Sequence, residues 1–112
     1  MSGAAAVSGA AVSWSLSKTI GAIVLATVDG DVQEAATRLE QIVEDSPNDG
    51  AVLLFAIDWA TTYGQTSTAL RLTEKYATLK PETPRIAAML GRAHFLAGNW
   101  KEAVAAFRRA LE

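Results

Sequence analysis

The sequence predicts an all-α fold, an α-solenoid of three helix-turn-helix units, and three observations carry that prediction. Gly30, Gly64 and Gly98 stand 34 residues apart. Ala35, Ala69 and Ala103 follow them at a constant five-residue offset, and Pro47 with Pro81 keeps the same phase, as does the acidic pair Glu34 and Glu102. Between these markers the apolar residues recur at helical rather than alternating spacing. A period of this length is one pair of antiparallel helices, which buries its apolar face against neighbouring pairs and offers a groove rather than a catalytic pocket.

Each unit is expected to contribute two helices, near residues 17–28 and 32–45, 51–62 and 66–79, and 85–97 and 100–111. In the first, Ile20, Ile23, Val24 and Val28 mark one helix, Asp29-Gly30-Asp31 turns the chain, and Ala35, Leu39, Ile42 and Val43 mark the return. Pro47, inside Ser46-Pro47-Asn48-Asp49-Gly50, ends that return helix, because proline lacks the amide proton of the helix ladder and restricts the residue before it. The second runs through Leu53, Leu54, Ile57 and Ala60 to Gly64, then Ala69, Leu70, Leu72 and Tyr76. At the next break Thr83 is placed to cap a helix whose first turn accepts Pro84. Ile86, Met89, Leu90 and Ala93 form the fifth helix, and Trp100, Ala103, Val104, Phe107 and Leu111 the sixth. Small residues at Ala22, Ala56, Ala60, Ala35, Ala69 and Ala103 fit positions where helices approach closely.

Residues 1–15, rich in Ala, Gly and Ser, read as a flexible arm, and residues 16–112 as one domain with units at 16–49, 50–83 and 84–112. Ten basic residues against twelve acidic ones leave a net charge of −2 without a basic run, which argues against nucleic acid as a partner. The longest apolar stretch, Ile20 to Val28, is about half of what a membrane span needs, so no membrane insertion is expected. Absence of cysteine removes disulfides, thiolate metal sites and a cysteine nucleophile, and fits a cytoplasmic protein.

The segment LGRAHFLAGNWKEAVAAFRRALE resembles a tetratricopeptide repeat: Leu90-Gly91, Gly98, Ala103, Phe107 and Ala110 sit where that family's signature residues sit. The second unit keeps Ala56, Gly64, Ala69 and Pro81 but has Ile57 where glycine is usual and Thr73 where an aromatic is usual; the first keeps Ala22, Gly30, Ala35 and Pro47. The resemblance implies a right-handed superhelix whose first helices line a concave face that binds proteins or peptides. In size, repeat number and apolar groove the chain also looks like the small tetratricopeptide chaperones of bacterial type III secretion. It departs from the subclass that clamps the C-terminal carboxylate of heat-shock chaperones, since Ile20, Val24, Phe55 and Met89 replace the polar and basic residues of that clamp and Arg85 alone survives.

Catalysis and cofactors are not expected. His94 is the only histidine and occupies a packing position, and Asp29-Gly30-Asp31 lacks the further oxygen ligands of a calcium loop. The inward-facing positions that the resemblance implies form a mostly apolar groove: Ile20, Val24, Thr27 and Val28 from the first unit, Leu54, Phe55, Asp58, Thr61 and Thr62 from the second, Arg85, Met89, Arg92, Phe95 and Leu96 from the third. Asp58, Arg85 and Arg92 would orient a bound amphipathic helix or peptide while the apolar neighbours supply affinity. At the C-terminal end, Val104 and Leu111 point to where a next helix would pack, so their burial calls for a partner, a second copy or the rest of a longer array. The expected function is therefore a non-catalytic protein-binding module, an adaptor or small chaperone. The alternative is a self-associating structural subunit or part of a longer scaffold.

Overall fold

The computed structural model describes residues 16–112, so the expected N-terminal arm lies outside the described residues. Every described element is a helix: α1 (16–28), α2 (Val32–Asp45), α3 (Gly50–Thr62), α4 (Thr66–Leu79), α5 (Pro84–Leu96) and α6 (Trp100–Leu111). The chain divides into two compact units, Met1–Asp45 and Ser46–Glu112. The boundary falls at the Ser46-Pro47 break.

In the first unit α1 and α2 are joined by a turn in which Gly30 adopts φ 80°, a left-handed conformation open to glycine and strained for residues with a Cβ. Gly30 N donates to Thr27 O and Asp31 N to Ala26 O, which satisfies the last carbonyls of α1. Asp31 then caps α2, its Oδ1 accepting from Glu34 N at 3.0 Å. Ile23, Ala35, Leu39, Ile42 and Val43 are buried.

In the second unit α3 packs on α4, α4 on α5 and α5 on α6. The two hairpin turns repeat the first: Gly64 and Gly98 have φ 74° and 83°, and Gln65 N and Asn99 N reach back to Ala60 O and His94 O at 2.8 Å each. Asp49 Oδ1 caps α3 through Ala51 N and Val52 N. Thr83 Oγ1 accepts from Ile86 N at 3.2 Å with Pro84 opening α5, as the sequence predicts. Helix α3 is apolar almost all round and buried on most sides, with Asp58 its one charge. Leu53, Leu72 and Thr73 are fully enclosed.

Alanines stand where helices cross. Ala56, Ala60, Ala69 and Ala103 are all at most 3% exposed, so there is no room to lengthen them. Ala69→Leu or Ala103→Leu is expected to overpack its crossing and cost about 1–3 kcal/mol. Thermal melting of the two variants checks this, and unchanged curves would mean that the repeat phase is misassigned.

The third hairpin carries a tight size match. A Cβ built on Gly91 would come within 2.9 Å of three Phe107 ring carbons, closer than a side chain allows. Phe107 therefore lies across a glycine on the facing helix.

Candidate functional site

A hollow of about 290 Å³ opens in the second unit, lined by Leu54, Ile57, Asp58 and Thr61 of α3, Thr73 of α4, and Arg85, Met89, Arg92 and Ala93 of α5. Both contributing stripes follow helical geometry. Residues 54, 57, 58 and 61 share one face of α3, and 85, 89 and 92 share one face of α5. The sequence thus aims both rows at one space by spacing alone.

Its floor is apolar and its polar groups divide into two kinds. Thr61 Oγ1 donates to Ile57 O at 2.7 Å and Thr73 Oγ1 to Ala69 O at 2.6 Å, so each hydroxyl is spent on the carbonyl one turn back. Asp58, Arg85 and Arg92 are exposed at the rim and make no ion pair among the described residues. Two cations face one anion there, leaving the mouth with a net positive charge. A second hollow of about 320 Å³ adjoins along Tyr76, Lys80, Pro81, Thr83 and Ile86 and shares Arg85 and Met89 with the first.

Of the residues that the sequence assigns to a groove, Leu54, Asp58, Thr61, Arg85, Met89 and Arg92 come together at this hollow. Ile20 and Val24 belong to the first unit, where Ile20 is half-buried and Val24 exposed. Phe55 is half-buried and does not line the hollow; Thr62 is exposed and does not line it either. Phe95 is also off it. Its ring stands edge-on to Trp100 at 5.1 Å, because the short turn into α6 brings an aromatic partner within reach of the last turn of α5. Ile57, Thr73 and Ala93 line the hollow and are absent from the sequence-derived groove; Ile57 could have been found from its three-residue step after Leu54.

Val104, which the sequence assigns to an end surface, lines a shallow depression of about 380 Å³ with Trp100, Lys101, Ala105 and Arg108. Leu111 is 89% exposed. His94 is half-buried, with its Nδ1 3.2 Å from Asn99 Nδ2, a contact that braces the α5–α6 turn. Among the described residues no three of His, Asp and Glu converge as a metal site would need, and no helix is long and apolar enough to cross a membrane.

Residues 84–112 match the tetratricopeptide repeat family, the same segment in which Gly91 and Phe107 meet. Among curated proteins no relative matches the sequence. Among solved structures the chain is similar to MamA, with 22% identity and a TM-score of 0.61 over 77% of this chain. It spans about half the length of MamA, 50% of that chain. The shared fold is a tetratricopeptide-type helical repeat, which in general serves protein–protein interaction. The helix pairs, the glycine turns and the structural likeness give this chain a tetratricopeptide-type fold, and its residues 84–112 match the tetratricopeptide repeat family itself.

Proposed function

We propose that the hollow between α3 and α5 receives one face of an amphipathic helix from a protein partner, and that the chain acts without catalysis as an adaptor or small chaperone in the cytoplasm. The observation that carries this reading is the combination of an apolar floor, formed by Leu54, Ile57, Met89 and Ala93, with unpaired charges at Asp58, Arg85 and Arg92 around it. Apolar area supplies affinity, whereas the rim charges select and orient the partner. Met89 is a suitable contact because its unbranched side chain adapts to differently shaped apolar partners.

The test is selection of binders from a displayed library of amphipathic helical peptides, followed by affinity measurements with a selected peptide. Met89→Asp is expected to weaken it by about thirtyfold or more, since it places a charge on the floor of the contact. Phe95→Ala, being off the hollow, is expected to change it by less than about threefold. Arg92→Glu should alter which peptides are selected and flatten or invert the salt dependence of binding. Indifference to Met89→Asp in a protein that keeps its helicity would remove the hollow as the binding site.

A further inference from the structure

We infer that the chain associates head to tail with further copies of itself, the acidic first unit of one copy meeting the basic, apolar face of α6 on the next. Two separate observations converge on this contact. The first is where apolar surface lies. Among the described residues, every exposed large apolar side chain other than Tyr63 and Leu79 is on α1 or at the α5–α6 end. Val24, Leu25 and Val28 are 49%, 66% and 78% exposed on adjacent turns of α1. Trp100, Val104, Phe107 and Leu111 form a stripe along α6, with about one turn between successive members.

The second observation is charge. Residues 1–45 hold six carboxylates against Lys18 and Arg38, a net −4, while residues 46–112 hold six against eight basic groups, a net +2. Part of this difference lies at the two apolar patches. Beside Leu25 a depression is lined by Asp29, Asp31 and Glu34; its one cation, Arg38, is held by Glu34 at 2.8 Å, which leaves Asp29 and Asp31 in excess. Along α6 the depression holding Trp100 and Val104 is flanked by Lys101 and Arg108, which make no ion pair among the described residues; Arg109 is held by Glu82 at 3.2 Å. Seven residues along a helix place those two cations about 10 Å apart, flanking the apolar depression.

Complementarity selects the mode of pairing. Placing α6 against α6 of a second copy brings Lys101 and Arg108 toward their own kind, and placing α1 against α1 does the same for Asp29 and its neighbours. The unlike patches satisfy both charge and apolar burial. A contact between two different patches is heterologous, so it repeats from copy to copy instead of closing as a two-fold dimer.

Charge reversal tests both the contact and its direction. Lys101→Glu with Arg108→Glu, and separately Asp29→Lys with Glu34→Lys, leave buried residues and the Asp31 cap untouched, the second giving up only the exposed Glu34–Arg38 pair, and circular dichroism is expected to show both proteins helical. Sedimentation velocity of the unaltered chain should show a mass that grows with concentration through the micromolar range. Each reversed protein should associate at least about tenfold more weakly. An equimolar mixture of the two should recover assembly, because the acidic tail of one then meets the basic head of the other and the unaltered ends also match. A chain that stays monomeric at all concentrations would overturn the inference. So would assembly that survives both reversals, or that mixing fails to restore, since either places the contact on other surfaces. Met89→Asp should leave the assembly unchanged, which separates this contact from the hollow between α3 and α5.

Discussion

Leu72→Ala is expected to be among the most damaging single changes in the second unit, with a loss of about 3–4 kcal/mol and a fall in melting temperature of roughly 10–20 °C. Leu72 is 0% exposed on α4, the helix that packs on both α3 and α5. Truncation removes apolar contact and leaves a void between two packed interfaces, which shifting one neighbour cannot close. In a helical repeat the stability of each pair depends on its interfaces with the adjacent ones, so weakening α4 acts on two interfaces at once. Leu79→Ala, at the 37% exposed end of the same helix, is the control and should cost less than about 1 kcal/mol. Differential scanning calorimetry of the two variants decides the matter. Equal shifts would mean that α4 is not a central element of the core.

The helices were legible because their punctuation is local. Glycine at a left-handed turn, Pro84 after a capping Thr83 and the break at Pro47 act within a few residues, and the predicted helix ends fall within one residue of those observed. Asp49 as a cap was written in the same local code, one residue before α3. The site was legible only in part, for a different reason. Spacing identifies which residues of a helix share a face, as it does for Arg85, Met89 and Arg92. It does not identify what stands opposite. Phe95 follows Arg92 by three residues, yet it turns to Trp100 across the glycine turn. Thr73 entered the hollow through a substitution on another helix: its counterpart in the next hairpin is the bulky Phe107, and a smaller side chain there leaves space.

The two hairpins of the second unit solve the same contact in opposite ways. Gly91 faces Phe107 in the α5–α6 pair, whereas 34 residues earlier Ile57 and Thr73 line one hollow, with the bulk on the first helix and the small residue on the second. This exchange distinguishes the hairpin that the family model matches, residues 84–112, from the earlier one, which has the same turns and the same buried alanines. It also creates the hollow, since a ring at position 73 would occupy space that Thr73 leaves open.

That account predicts a strong coupling between positions 91 and 107. Gly91→Ile alone is expected to cost about 3 kcal/mol despite a better helix propensity, because even its Cβ meets the Phe107 ring at 2.9 Å and the ring must swing out of contact. Phe107→Thr alone is expected to cost about 2–3 kcal/mol through lost packing over Gly91. The double variant rebuilds the Ile57 and Thr73 arrangement in the last hairpin, and urea unfolding should place it at least about 1 kcal/mol above the sum of the two single losses. Phe107 is 39% exposed, so the ring has room to move outward and the single glycine replacement should stay folded enough to measure. Strict additivity would mean that the two positions do not compete for one space. The hollow beside Thr73 would then owe nothing to the exchange, and its volume would have to come from the placement of α3 and α5 themselves.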